Sequence, residues 1–308
     1  MANSNQWDAD WEVSEELVQR LIYIQFPELS SMRIKRIGNG WDNMVYLVGD
    51  EYIFRFPRRN VAIDLIKMEG RLLPKLTDYM TIPYPQPLFY GQGNDEYPMP
   101  FLGYTYVSGE FPLGVADEQR TASATALAHF LKKLHTFPPQ LARECGAPHD
   151  HRNLRDVTGR KEKMRRFFVD LNDHMQEEER LAMAGYLDQV QTDPGKQPDV
   201  FLHGDLHFKN MLVDEQGKVS GIIDWGDMNV GHPACDLSVA YSFFPPQARS
   251  LFFAEYGEVD EETKRLARMI AVYIPMLIWM QAIADQDEKV AEEARATIKR
   301  ALADEERF

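Results

Sequence analysis

The sequence predicts an α+β fold in two lobes, a small β-rich N-terminal lobe and a larger, mainly helical C-terminal one. Three observations carry this reading. Short β-prone runs at 44–48, 52–56 and 101–107 crowd the first third of the chain. From residue 118 onward, apolar residues recur mostly at helical spacing. And 308 residues are enough for two domains. The lobes are expected at 1–108 and 109–308, with the boundary at the break Ser108-Gly109-Glu110 and the active site between them.

In chain order, Ser14 caps a helix whose first turn holds Glu15 and Glu16 and whose apolar face is Leu17, Leu21 and Ile24. Residues 34–37 then enter Gly38-Asn39-Gly40. Such a break lets backbone amides approach phosphates, and it also reads as a plain hairpin turn. Strands at 44–48 and 52–56 flank a turn at Gly49-Asp50. Alternation in the second sends Arg55 to the face opposite Phe54 and Phe56. A helix from about 61 to 76 puts Glu69 in a stripe with Leu65, Leu72 and Leu76. A carboxylate in an apolar stripe needs a cation, and Arg55 is the candidate. Lys67, Arg58 and Arg59 are alternatives for a cation facing phosphate.

Pro83, Pro85, Pro87, Pro98 and Pro100 exclude helix over the next segment. Beyond the strand at 101–107, residues 118–136 form a helix with Leu127, Phe130, Leu131 and Leu134 on its buried face, stopped by Pro138-Pro139. Residues 156–190 alternate charged and apolar positions at helical spacing. A later helical stripe runs through Leu266, Met269, Ile270, Tyr273, Leu277 and Met280, and residues 285–308 read as a charged surface helix.

The chemistry concentrates in residues 201–237. His203-Gly204-Asp205 follows the apolar pair Phe201-Leu202 and presents a carboxylate on a turn. Asn210 comes five residues later, before Met211, Leu212 and Val213. Residues 214–217 carry turn chemistry, and a returning strand at 219–223 ends in Asp224. Phosphoryl transfer needs a carboxylate to orient and deprotonate the attacking hydroxyl, together with oxygen ligands for Mg²⁺. Asp205, Asn210 and Asp224 supply that set in the order found in protein kinases.

With Asp224-Trp225 in place of Asp-Phe-Gly and with Gly231-His232-Pro233 and Asp236 downstream, this stretch resembles the aminoglycoside phosphotransferase family, small-molecule kinases of protein-kinase-like fold whose close relatives act on macrolides. The resemblance implies Asp205 as catalytic base, Asn210 and Asp224 as Mg²⁺ ligands, and His203 and Asp236 as supports that hold the loop by hydrogen bonds. It implies that Arg55, held by Glu69, contacts the α/β-phosphates beside Gly38, Asn39 and Gly40, and that Tyr106, Val107 and Ser108 form the hinge against the purine. The hinge letters also read as an ordinary strand and turn. The usual strand cation of the family is lysine, so Arg55 is a departure. His207 is assigned to substrate or to water, and Asp227 to the lining of the site or, in preference, to a solvated turn.

The implied function is Mg²⁺-dependent transfer of the γ-phosphoryl of ATP or GTP to a hydroxyl of an aminoglycoside-type antibiotic. Asn210 favours that acceptor, whereas the run Arg55-Phe56-Pro57-Arg58 favours a macrolide. Metabolite kinases and a catalytically silent nucleotide-binding protein are the alternatives. With 34 lysines and arginines against 48 aspartates and glutamates, a net charge of −14, the chain is suited to a cationic small molecule and unsuited to nucleic acid. Cys145 and Cys235 form neither a disulfide framework nor a zinc pattern. The N-terminus is polar and acidic and no membrane-spanning run is expected, so the expected location is the cytoplasm.

Overall fold

A computed structural model describes residues 11, 13–39, 42–150, 152–153, 155–190 and 197–303. The chain divides into two compact units, one built from residues up to Asp78 with Pro83–Val107, the other from Tyr79–Ile82 with Ser108 onward.

The first unit opens with helix α1 (Glu15–Gln25), where the Ser14 Oγ accepts the Leu17 N–H at 3.2 Å. Its buried stripe is Val18, Leu21 and Ile22, whereas Ile24, expected on the apolar face, is 75% exposed. The i, i+3, i+4 rows place 18, 21 and 22 together and turn 24 away from them. Strands β1 (Ile34–Asn39), β2 (Asn43–Val48), β3 (Tyr52–Pro57), β4 (Pro87–Gly91) and β5 (Phe101–Thr105) form one antiparallel sheet in the order β1-β2-β3-β5-β4. Phe54, Phe56 and Phe101 join the α1 stripe in a single apolar cluster, with Phe56 and Phe101 stacked at 4.3 Å. Arg55, on the alternate face, lies opposite Val45 on one side and Leu102 on the other.

Helix α2 (Val61–Leu72) ends earlier than the expected 76 and passes into a 3₁₀ stretch, Leu73–Tyr79. Pro74, which has no N–H to donate and restricts the residue before it, accounts for the change. The buried positions are Ala62, Ile66, Met68, Glu69 and Leu72, so Glu69 lies inside the stripe and Leu65 beside it.

The second unit is helical apart from two small sheets. Helices α3 (Asp117–Thr121) and α4 (Ala124–Leu134) replace the single helix expected over 118–136. The break frees Ser123, whose Oγ accepts the Val219 N–H at 2.9 Å. Then come α5 (Pro139–Glu144), α6 (Val157–Leu171) and α7 (Glu177–Gln189). Strand β6 (Val200–Leu202) pairs with β9 (Asn229–Gly231), and β7 (Met211–Val213) with β8 (Val219–Ile222). Short helices α8 (Ala234–Leu237) and α9 (Val239–Ser242) lead to α10 (Pro246–Tyr256), α11 (Glu261–Ala284) and α12 (Glu288–Leu302).

Helix α11 corrects two expectations. Its stripe follows Leu266, Met269, Ile270 and Tyr273, but beyond Pro275 burial moves to Met276 and Trp279, and Leu277 is exposed. It is also long and apolar enough, by length and composition, to cross a membrane, and 61% of its apolar stretch is buried within the protein. Helix α12 is not simply a charged surface element. Ala294, Thr297, Ile298 and Ala301 are buried, and Glu293, also buried, accepts from Arg120 at 2.8 Å and from Arg300 at 2.5 Å.

Candidate active site

The site in the second unit is a loop suspended between two small sheets. Strand β6 delivers the chain to His203 with Phe201 facing Val230 and Leu202 facing Asn229 across the ladder. The loop then wraps round a buried carboxylate. Asp236, fully buried at the α8 helix, accepts the His203 N–H at 2.8 Å with Oδ2 and the Gly204 N–H at 3.0 Å with Oδ1. His135 meets the same Oδ2 at 3.2 Å through Nε2. A carboxylate satisfied by two backbone amides is among the strongest ways to fix a turn. The His203 ring lies edge-on to Trp225 and has Nε2 at 3.0 Å from the Ile223 carbonyl oxygen, so it links the loop to the end of the β8 hairpin.

Gly204 makes the turn possible. Its φ is +87°, and a Cβ there would run into the Asp227 carbonyl and the Asn229 side chain. The next residue is Asp205. Asn210 ties itself back to this turn, its Nδ2 donating to the Asp205 carbonyl at 2.9 Å and standing 3.4 Å from Oδ2. The Asn210 carbonyl in turn accepts the Ile223 N–H at 3.0 Å, which fixes the residue immediately before Asp224. Asp224 has φ +61° and ψ +72°, a left-handed conformation that Asp tolerates better than most residues and that tends to mark functional sites.

Among the described residues no cluster of three or more His, Cys, Asp and Glu side chains is placed to hold a metal ion. Mg²⁺ at a phosphoryl-transfer site asks for less. One or two protein oxygens suffice, because phosphates and waters complete the octahedron. With Nδ2 committed to the Asp205 carbonyl, Asn210 has Oδ1 as its remaining side-chain donor, and the Asp224 carboxylate is a second oxygen ligand of the right hardness. The donor set fits the ion.

Asp205 itself faces an arginine and a histidine. Arg152 Nη1 donates to Oδ1 at 2.6 Å, and His207 Nε2 lies 3.4 Å from Oδ2. Burial works to raise the carboxyl, but the charges and hydrogen bonds of His207 and Arg152 outweigh it and hold the group well below the usual carboxylate range. Arg152 also reaches Asp227 Oδ2 through Nη2 at 2.6 Å. Asp227, expected to be a solvated turn residue, is therefore an ion-pair partner inside the turn Trp225–Asp227. His207, expected at substrate or water, faces Asp205 with Nε2, while its Nδ1 accepts the Lys209 N–H at 3.2 Å. Arg152, His135 and the pairing of Asp227 with Arg152 were missed by sequence reasoning.

In the first unit, Arg55 Nη1 donates to both oxygens of Glu69 at 3.0 Å, and the Tyr104 hydroxyl donates to Oε2 at 2.9 Å. Glu69 is buried at 1% exposure, so the cation and carboxylate singled out in the sequence meet. Arg59 pairs with Asp42 at 2.8 Å. Gly38 faces Val45 beside an irregularity in the β1–β2 register. Asn39 ends β1, and Gly40 lies outside the described residues. Tyr106 follows β5 with its N–H donated to the Glu51 carbonyl at 2.7 Å, and Val107 and Ser108 come directly after it. The Tyr106 amide is thus engaged within its own unit.

A family model described as the phosphotransferase enzyme family (APH) matches residues 33–271. The aminoglycoside 3'-phosphotransferase of Streptomyces ribosidificus is 31% identical over 159 residues, 47% of this chain and 58% of its own length. That of Streptomyces fradiae is 30% identical over 165 residues, 49% of this chain and 58% of its own. The alignment thus spans 58% of the length of each of these relatives. Among solved structures, the GDP complex of wild-type aminoglycoside 2'-phosphotransferase-IIIa has a TM-score of 0.67 at 22% identity, covering 94% of this chain and 99% of that one. Macrolide 2'-phosphotransferase MphH from Brachybacterium faecium has a TM-score of 0.56 at 22% identity, covering 87% and 91%. These likenesses show a shared protein-kinase-like α+β fold.

Proposed function

We propose that this chain, which belongs to the phosphotransferase enzyme family, moves the γ-phosphoryl group of ATP or GTP to a hydroxyl of an aminoglycoside-type small molecule. The observation that supports it most is the hydrogen-bonded frame joining Asp205, Asn210 and the residue before Asp224. In this reading Asp205 orients the acceptor hydroxyl and takes its proton as the oxygen bonds to the γ-phosphorus. The bond from that phosphorus to the bridging oxygen breaks, and nucleoside diphosphate leaves. Asn210 and Asp224 would hold Mg²⁺, which when bound supplies charge neutralisation along the phosphates. Asp236 and His203 keep the loop in register and touch neither reactant.

Residues 1–108 are assigned to the nucleotide. Arg55, its guanidinium oriented by Glu69, contacts the α/β-phosphates, the backbone of Gly38, Asn39 and Gly40 lines them, and Tyr106, Val107 and Ser108 meet the purine edge. Residues 109–308 bring the base and the acceptor. A macrolide acceptor is the second reading, favoured by the run Arg55-Phe56-Pro57-Arg58. The experiment is Mg²⁺-dependent nucleoside diphosphate release from ATP and from GTP against a panel of aminoglycosides and macrolides. Stimulation by one class fixes donor and acceptor together. Silence across the panel with nucleotide bound would end the antibiotic reading and favour a metabolite kinase or a silent nucleotide-binding protein.

A further inference from the structure

The returning strand of the β7–β8 hairpin carries one residue more than its partner. Val213 lies opposite Val219, whereas Leu212 lies opposite Gly221 and Met211 opposite Ile222, so Ser220 has no opposite number. Such an extra residue is a β-bulge. The turn before it is fixed, because the Asp214 N–H donates to the Lys218 carbonyl at 2.8 Å and Asp214 Oδ1 accepts the Gln216 and Lys218 N–H groups at 2.9 Å each. From that turn, an unbroken ladder would bring Ile222 opposite Asn210. The extra residue brings Ile223 there instead, and its N–H donates to the Asn210 carbonyl at 3.0 Å. A shift of one residue turns every following side chain to the other face of a strand. The bulge at Ser220 thus sets the face from which the chain enters Asp224.

A two-stranded hairpin this short does not support itself. The bulge is held from outside the ladder, where the Val219 N–H donates to the Ser123 Oγ at 2.9 Å. Ser123 is 2% exposed and sits at the break between α3 and α4, its own N–H donating to the Arg120 carbonyl at 2.9 Å. One turn earlier, Gln119 Nε2 donates to the Gln216 carbonyl at 3.0 Å. Glu110 and Val213 exchange both of their backbone hydrogen bonds, at 3.0 and 2.8 Å. Gly109 passes so close to the bulge that a Cβ there would come within 2.8 Å of the Ser220 Oγ and 2.9 Å of the Leu212 Cβ. The Ser220 Oγ is buried and has no hydrogen-bond partner among the described residues. The residue adds length to the strand and no hydrogen bond from its side chain.

We infer that Ser123 is a positioning residue for Asn210 and Asp224: by accepting the Val219 N–H it pins the bulge at Ser220, and the bulge aims Asp224. Ser123 touches no reactant and acts only through the register of the hairpin. With the bulge pinned, Ile223 stays bonded to Asn210 and the carboxylate next to it keeps its face. With the bulge free, the strand has a second register in which that face is reversed. The inference rests on the reading of Asn210 and Asp224 as oxygen ligands of Mg²⁺, and its content is the device that brings the two into one register.

The test is Mn²⁺ binding, read by electron paramagnetic resonance, to the full chain with a non-hydrolysable analogue of ATP and then of GTP. Parent, Ser123→Ala, Ser123→Thr and a chain lacking Ser220 are compared, with urea unfolding of each as the check on folding. Ser123→Ala should weaken Mn²⁺ binding about tenfold, the low end for residues that orient metal ligands, and leave the affinity for the analogue without metal unchanged. Ser123→Thr, which keeps the Oγ, should restore parental binding. Deletion of Ser220 should weaken Mn²⁺ binding about 100-fold, because the carboxylate is turned to the other face. A lowered unfolding midpoint with parental Mn²⁺ affinity in Ser123→Ala overturns the inference, since a bond that only holds the fold would behave in that way. Parental Mn²⁺ affinity in a folded chain lacking Ser220 overturns it as well, and if that chain does not fold, the two Ser123 variants decide. No Mn²⁺ binding by the parent overturns it together with the ligand assignment. Nucleoside diphosphate release by the same samples answers separately. Mn²⁺ binding by the parent with no release under any acceptor sinks the phosphotransferase reading and leaves the aiming of Asp224 standing.

Discussion

Two arginines meet carboxylates in this molecule in opposite ways. In the β-rich unit, one nitrogen of Arg55 spans both oxygens of a single carboxylate, Glu69, whose side chain is 2% exposed and which takes a further bond from Tyr104. In the helical unit, two nitrogens of Arg152 are shared between Asp205 and Asp227, whose side chains are 17% and 31% exposed. In the first pair the carboxylate is buried, so removing its cation strands an ion in the interior. In the second, both carboxylates keep part of their surface in solvent, so a partner from outside can approach them. What separates the two is the access of solvent to the carboxylate.

Four measurements press on that contrast. The largest effect is expected at Asp205→Asn, which should lower turnover roughly 10²- to 10⁴-fold with nucleotide affinity little changed. Turnover equal to the parent would mean that the Asp205 carboxylate is as structural as that of Glu69. Next is the response of the helical unit to acid. His232 is buried, its Nδ1 accepts the Ala234 N–H at 3.2 Å, and burial followed by the charge of Arg155 pushes its pKa down to about 4. The unfolded chain binds that proton near pH 6.5, so stability present above that pH should fall by on the order of 3 kcal/mol as pH drops from about 6.5 to about 4. Urea midpoints across this range, for the parent and for His232→Gln, measure it. A parent and a variant with parallel pH profiles would remove His232 from the account.

Glu69→Gln should cost about 1–3 kcal/mol in urea unfolding, because a neutral amide faces the Arg55 guanidinium, and should raise the KM for nucleotide more than it lowers kcat. A change in kcat alone would move Arg55 out of the phosphate contact. The smallest effect belongs to the pair Arg20–Glu96, at 2.6 Å but 53% and 59% exposed. Arg20→Ala should shift stability by less than about 1 kcal/mol, which thermal melting of the two proteins would read.

How much of this was legible depends on the length scale of each signal. Arg55 and Glu69 could be matched because two local periodicities, the alternation of a strand and the stripe of a helix, each flagged one misfit residue. Asp205, Asn210 and Asp224 fall within twenty residues and announce themselves by spacing. Arg152 reaches across 53 and 75 residues from a segment without periodicity, so nothing local marks it. Helix ends differ from the expected ones where a proline interrupts the hydrogen-bond ladder, as at Pro74, or a serine serves a strand outside the helix, as at Ser123. The charged C-terminal helix was misread because composition counts charges and cannot see that Glu293 finds its cations inside.

That last contact sets an order of events in the life of the chain. Arg120 is fully buried and donates to the Pro112 and Val115 carbonyls and to Glu293, which lies 173 residues further along. During synthesis, Arg120 is made long before the carboxylate that neutralises it, so the segment just after the β-rich unit cannot reach its final state until residue 293 is available. A stop codon between positions 237 and 293 would therefore leave the whole proposed catalytic apparatus encoded and an ion without its counterpart at the entrance to the helical unit.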